Sequence, residues 1–215
     1  MEKTGKTEPK EIQLEKAKVM INASLYDRYD IEELENRRLY LNDMVDESIL
    51  DNISFHIMRF NRMDYGMEKE ARKPIILYIN SPGGSVVDGY GLIDIIQSSI
   101  TPVYTVNMAM CASMGFLIFL AGDKRFSLPH SQFLMHDGSA IAMDSTAKLR
   151  DRMEFDTQVE EMTKKYIQSR TTIDDDLYEK KYRVEWYMLP DEAKSHNIVT
   201  DIIGQDVSLT EILGK

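Results

Sequence analysis

The run Ile75-Ile76-Leu77-Tyr78-Ile79, free of charge and followed at once by Asn80-Ser81-Pro82-Gly83-Gly84-Ser85, constrains the fold more than any other segment. A short, wholly apolar run ended by Pro and Gly reads as a strand buried on both faces. The two glycines then let the chain turn sharply and free a backbone N–H to face a ligand. Beyond the turn, Val87 to Ser98 has helical spacing, with Tyr90, Ile93 and Ile96 toward the sheet. A second extended run, Val103 to Asn107, leads through Met110-Cys111-Ala112-Ser113-Met114-Gly115 into an apolar helix-like run, Phe116 to Ala121. Strand, turn, helix, strand, turn, helix describes repeated β-α units, whose sites gather at the carboxyl ends of strands. Gly84 and Ser113 both occupy such ends.

The flanking segments extend this α/β reading. Arg37 to Leu41 forms a further strand, and Ile49, Ile53, Ile57 and Phe60 share one face of a helix from about Asp46 to Asn61. Asp64 to Lys73 is charged and reads as a loop, and Gln132 to Met135 as a strand. A long charged helix from Ser145 to Arg170 carries Leu149, Met153, Phe155, Val159, Met162 and Tyr166 as an apolar ladder, a face too apolar to stay wet. With 215 residues, 43% of them hydrophobic, the chain suits one sizeable core rather than two. The expected organisation is a disordered leader or pro-segment over residues 1–25, followed by a single domain over 26–215 that includes the long helix at about 145–170.

Charge and composition exclude several functions. A formal charge of −10 disfavours nucleic acid, whose phosphates need clustered Lys and Arg, and disfavours acidic partners too. The single cysteine, Cys111, leaves no intramolecular disulfide and fits a reducing compartment, with the cytoplasm as the default. The longest apolar stretch, Met108 to Gly122, falls short of the roughly twenty residues of a spanning helix and contains Ser113, so it is read as a core element. No metal-ligand spacing and no phosphate-binding Gly-x-x-x-x-Gly-Lys-Ser/Thr run occurs, so neither metal nor cofactor is expected.

The chemistry centres on Ser113, a serine at a strand-to-helix turn, where a hydrolase presents a nucleophile. A serine hydroxyl needs a base, and histidine is the side chain whose ordinary pKa suits that task near neutrality. His136, at the end of the Gln132 to Met135 strand, is that base and then the acid to the leaving amine. Ser113 opens a helix, so free N–H groups lie beside it, and Met114 N–H is one oxyanion donor by position. The other donor belongs to the diglycine turn. An extended peptide would pair with the backbone of Gly83 to Val86, through Gly84, Ser85 and Val86, on one side, and with Gly138 to Ile141 on the other. Cys111 is assigned to core packing, as His56, His130 and His196 are to ordinary structural roles.

Three motifs carry a resemblance. Tyr78-Ile79-Asn80-Ser81-Pro82-Gly83-Gly84-Ser85-Val86, Ala112-Ser113-Met114-Gly115, and Leu128-Pro129-His130-Ser131-Gln132-Phe133-Leu134-Met135-His136 resemble, in order and spacing, those of the proteolytic subunit of the Clp protease, the ClpP family of serine peptidases. The resemblance covers about Leu39 to Ile203. It implies a ClpP/crotonase-type α/β fold of repeated β-β-α units with a protruding handle helix, and a Ser-His-acid triad working through an acyl-enzyme. It places the second oxyanion donor on Gly84, with Gly83 the fallback. It puts Glu185 where the family usually has an aspartate, with Asp174, Asp175 and Asp176 as rival acids in a helix-start cluster. His136 is followed by Asp137-Gly138 where the family commonly has Gln-Pro, which marks a divergent member. The resemblance further implies a homotetradecamer of two stacked heptameric rings, unfolded polypeptide substrates, and an AAA+ unfoldase that spends the ATP. Two rivals remain: an inactive structural ring subunit, and a crotonase-like acyl-CoA enzyme that shares the fold.

Overall fold

A computed structural model describes residues 24–138 and 144–213. The chain divides into two units, one ending at Arg38 and one beginning at Leu39. In the first, helix α1 (Leu25–Glu35) is opened by a reciprocal capping box: Ser24 Oγ accepts from Asp27 N at 3.2 Å, and Asp27 Oδ2 accepts from Ser24 N at 3.0 Å. The leader expected over residues 1–25 lies outside the described residues except for Ser24 and Leu25, which belong to this helix start.

The second unit is built on a parallel sheet. Strand β1 (Arg38–Leu41) leads into it, and a π-helical turn (Leu50–Ser54) runs into α2 (Phe55–Asp64). Ile49, Ile53, Ile57 and Phe60 are all buried, as their spacing predicts, although the segment begins as a π turn rather than as one α-helix. Strand β2 (Ile75–Ser81), helix α3 (Val86–Gln97), strand β3 (Val103–Ala112) and helix α4 (Met114–Leu120) then follow as two β-α units. After them come β4 (Lys124–Ser127), β5 (Gln132–Met135), the 25-residue α5 (Thr146–Arg170), α6 (Asp175–Tyr182), β6 (Trp186–Met188), α7 (Pro190–Ser195), β7 (Asp201–Ile202) and α8 (Leu209–Leu213). Among the described residues the sheet order is β1-β2-β3-β4-β7, with β5 and β6 branching from β3.

Strand β3 changes partner part-way along. Its first half pairs in parallel with β4, Tyr104 opposite Lys124 through Asn107 opposite Ser127. Its last residues pair in parallel with β5, Met110 opposite Gln132 through Ala112 opposite Leu134. Asn107, fully buried, marks the handover: its Nδ2 donates to the Gln132 carbonyl at 2.9 Å. The strand therefore runs to Ala112, five residues beyond the extended run read from sequence. The apolar stretch from Met108 to Gly122 is accordingly half strand and half helix.

The core lies between the sheet and its helices. Ile57, Ile75, Leu77, Leu92, Phe119 and Phe133 are fully buried, and the rings of Phe119 and Phe133 meet at 5.0 Å between centroids. Phe119→Ala would delete one side of that pair and leave a cavity beneath α4. We predict a destabilisation of about 3–5 kcal/mol, read as a lower urea midpoint at unchanged m-value; a midpoint within error of wild type would refute the packing role.

Helix α5 is secured along its C-terminal part. Tyr90 Oη and Thr163 Oγ1 are bonded at 2.7 Å, Tyr166 Oη donates to the Leu117 carbonyl at 3.0 Å, and Arg170 Nη2 donates to the Gly122 carbonyl at 2.7 Å. Arg125 Nη2 donates to the Arg170 carbonyl at 3.3 Å and links this end of α5 to the Ile198 and Asn197 carbonyls, to which Arg125 donates at 2.8 and 2.7 Å; its burial lowers the guanidinium pKa to about 10. Further toward its N-terminus the helix exposes Met153, Phe155 and Met162, so these members of the apolar ladder seen in the sequence stay largely uncovered among the described residues, whereas Leu149, Val159 and Tyr166 are half-buried.

Candidate active site

Ser113 joins β3 to α4 with φ 52° and ψ −122°, a left-handed backbone that non-glycine residues seldom adopt. Such a conformation costs of order 1–3 kcal/mol and persists only where neighbours hold it. Here the neighbours are explicit. Ser113 N–H donates to the Leu134 carbonyl at 2.9 Å, and Ser113 C=O accepts from Phe116 N at 3.0 Å and Leu117 N at 3.2 Å. The serine is thereby tied to β5 on one side and to its own helix on the other, and the residue is half-buried.

The diglycine turn lies against it. A Cβ on Gly83, whose φ is +100°, would fall 2.6 Å from Ser113 Cβ and 3.0 Å from Met114 N, so only glycine permits this approach. Gly84 is held from the far side by Val45: Val45 N donates to the Gly83 carbonyl at 2.8 Å, and Ser85 N donates to the Val45 carbonyl at 2.7 Å. In a parallel bridge of this kind the residue between the two bonds turns its own N–H and C=O the other way. Gly84 N–H thus faces away from Val45, and Met114 N–H is an unpaired first-turn donor of α4. Neither donates to any group among the described residues. Helix α4 has seven residues, so these individual N–H groups matter more than its dipole.

His136 follows β5 directly and is half-buried. Because β3 and β5 run in parallel with Ala112 opposite Leu134, Ser113 and His136 leave the ends of adjacent strands. The next residue, Asp137, is anchored by its N–H to the Tyr182 carbonyl at 2.8 Å. Strand β6 pairs with β5 antiparallel, Leu134 opposite Tyr187 and Met135 opposite Trp186. Glu185 immediately precedes β6 and His136 immediately follows β5, so the two residues leave the same end of this pair. The Glu185 carboxylate is exposed and accepts from Tyr187 Oη at 3.1 Å, while the His136 ring makes no hydrogen bond among the described residues.

Two of the three rival acids are occupied elsewhere. Asp174 caps α6 by accepting from Leu177 N at 2.9 Å. Asp175 pairs with Lys164 at 2.9 Å and Gln168 at 3.0 Å, and the Gln168 bond and then the ammonium hold its carboxyl below the usual range. Asp176 lies exposed in the same first turn.

Of the peptide-pairing positions, Ser85 has its N–H committed to Val45 and its hydroxyl to the α3 cap, where it accepts from Asp88 N at 3.3 Å. Val86 and Gly138 are exposed, and a Cβ added at Gly138 would meet nothing within 4 Å among the described residues. Residues 139–141 of the second pairing edge lie outside the described residues. Cys111 is fully buried and burial pushes its thiol pKa well up, which suits packing and not nucleophilic work. Sequence reasoning missed Val45, whose role is purely backbone, and Tyr187, whose place emerges from the β5–β6 register.

The family model described as Clp protease matches residues 22–206. The chain belongs to the Clp protease family. The match starts well before Leu39, where the motif resemblance begins, and so takes in α1 as well. An ATP-dependent Clp protease proteolytic subunit 1 of Frankia casuarinae is 32% identical over 181 residues, covering 80% of this chain and 79% of that one. A Clp proteolytic subunit 2 of Synechococcus is 33% identical, over 63% of this chain and 70% of its own, and one of Pinus thunbergii is 31% identical, over 66% and 74%. Among solved structures, a point mutant of ClpP1 from Listeria monocytogenes superposes with a TM-score of 0.70 at 22% identity, over 80% of this chain and 94% of that one. The fold is therefore the mixed α/β fold of the Clp proteolytic subunits, with α5 in the place of the handle. Family membership favours the protease reading over the acyl-CoA one.

Proposed function

We propose that this Clp family member is an active serine endopeptidase that cleaves unfolded polypeptides. The observation that carries the reading is the left-handed turn at Ser113, packed against Gly83 and flanked by the unpaired N–H groups of Gly84 and Met114. Ser113 Oγ attacks the scissile carbonyl as His136 takes its proton, and the oxyanion is received by Gly84 N–H and Met114 N–H. His136 then protonates the leaving amine, and water, activated by the same imidazole, releases the acyl group. Glu185 orients His136 and stabilises the imidazolium. Substrate pairs as an extended strand beside Gly84 to Val86, a mode that reads backbone and tolerates sequence.

The same reading supplies the context. The curated relatives are named ATP-dependent proteolytic subunits, and this chain has no phosphate-binding loop, so ATP is spent by an AAA+ unfoldase that feeds the chamber. The uncovered apolar face of α5 suits the contact between two stacked heptameric rings. The peptidase domain begins after the leader, and the enzyme works in the cytoplasm.

A structural ring subunit is the second reading. It is favoured by Glu185 being bonded to Tyr187 while His136 has no partner among the described residues. A fluorophosphonate separates the two, with the adduct mapped by mass spectrometry on assembled rings. Labelling of Ser113 that falls sharply in His136→Ala is the expected result; an unlabelled serine in an assembled ring would leave the structural reading standing.

A further inference from the structure

Strand alternation sorts the residues of the β5–β6 pair. Phe133, Met135, Trp186 and Met188 are buried on one face, whereas Glu185 and Tyr187 are exposed and His136 is half-buried. Residues opposite one another in an antiparallel pair share a face, as do residues two apart on one strand. Tyr187 therefore lies on the face of Glu185 and opposite Leu134, whose carbonyl holds Ser113 N–H and which precedes His136 by two residues.

The geometry points to Tyr187 as a positioning residue of the catalytic site, its hydroxyl fixing Glu185 so that the carboxylate can serve His136. This rests on the serine peptidase reading. Tyr187 Oη donates to Glu185 Oε2 at 3.1 Å, which leaves Oε1 free for the imidazole N–H. That bond, together with the carboxylate charge, raises the Tyr187 pKa, so the phenol keeps its proton. The chemical reason for the pair lies in the acid itself. A glutamate carries one more rotatable bond than an aspartate and samples more positions, and a hydroxyl two residues away on the same face selects among them. The tyrosine touches no reacting atom and acts through Glu185.

The test uses the full chain in its assembled state, with an unstructured fluorogenic peptide as substrate, and compares wild type, Tyr187→Phe, Glu185→Ala and the double variant. Tyr187→Phe should lower kcat by about 3- to 10-fold with KM unchanged, the scale of one exposed hydrogen bond to a charged group. The loss should vanish in the Glu185→Ala background, and Glu185→Asp should be insensitive to Tyr187→Phe because the shorter acid does not depend on the hydroxyl. An equal loss in both backgrounds, a change confined to KM, or a rise in kcat would overturn the assignment; the rise would mean that Tyr187 withholds the glutamate. If wild type shows no labelling of Ser113 by fluorophosphonate, the peptidase reading fails and this one with it. Normal labelling with an unaltered Tyr187→Phe kcat defeats the positioning role alone.

Discussion

Ser113→Ala should abolish peptide hydrolysis by the assembled protein, with kcat falling on the order of 10⁴- to 10⁶-fold, the range seen when a nucleophile is removed from a triad. His136→Ala should lose nearly as much, and the double variant little more than either single one, because nucleophile and base act on the same proton. The measurement is cleavage of an unstructured peptide by each variant. Additive losses, or a Ser113→Ala variant that keeps a tenth of the activity, would show that the hydrolysis takes place elsewhere. The alanine should leave stability near that of wild type, since the hydroxyl makes no hydrogen bond among the described residues and the left-handed backbone strains either residue alike.

The second large effect belongs to Gly84. An alanine there would bring Cβ to 2.8 Å from Val45 N and into the Val45 carbonyl, at a φ of +147° that an L residue resists. The bridge to Val45 must open or the turn must swing, and in either case Gly84 N–H leaves the oxyanion position. Loss of one such donor costs about 10²- to 10³-fold in kcat, and the damage should appear in kcat with little change in KM. A Gly84→Ala enzyme within a few-fold of wild type would remove Gly84 from the site.

Much of this architecture was legible in the residues. Charge-free runs ended by Pro and Gly marked β2 and its turn, and apolar residues stepping by four, four and three marked the face of α2 that became buried. The Gln132 to Met135 strand could be read with its bounds because Asp137-Gly138 and Leu128-Pro129 punctuate it. The end of β3 was hidden, since Met108, Ala109 and Met110 neither alternate nor break before the helix, and the change of partner from β4 to β5 is a property of the sheet. The hold of Val45 on the diglycine was equally hidden, because a backbone bridge leaves no side-chain signature. Ser113 and His136 stood out by type and place. Glu185 was reached by resemblance, and its place at the end of β5 rests on pairing between strands whose residues lie some fifty positions apart.

That spacing governs when the site exists during synthesis. Val45 fixes Gly83 and Gly84, Gly83 abuts the Ser113 turn, Leu134 ties down the serine, and β6 brings Glu185 to the end of β5 that His136 follows. None of these contacts is local, and the last strand needed emerges from the ribosome well after the serine. On the proposed peptidase reading, a nascent chain carries the nucleophile without the means to hold it, and hydrolysis must await completion of the tertiary structure.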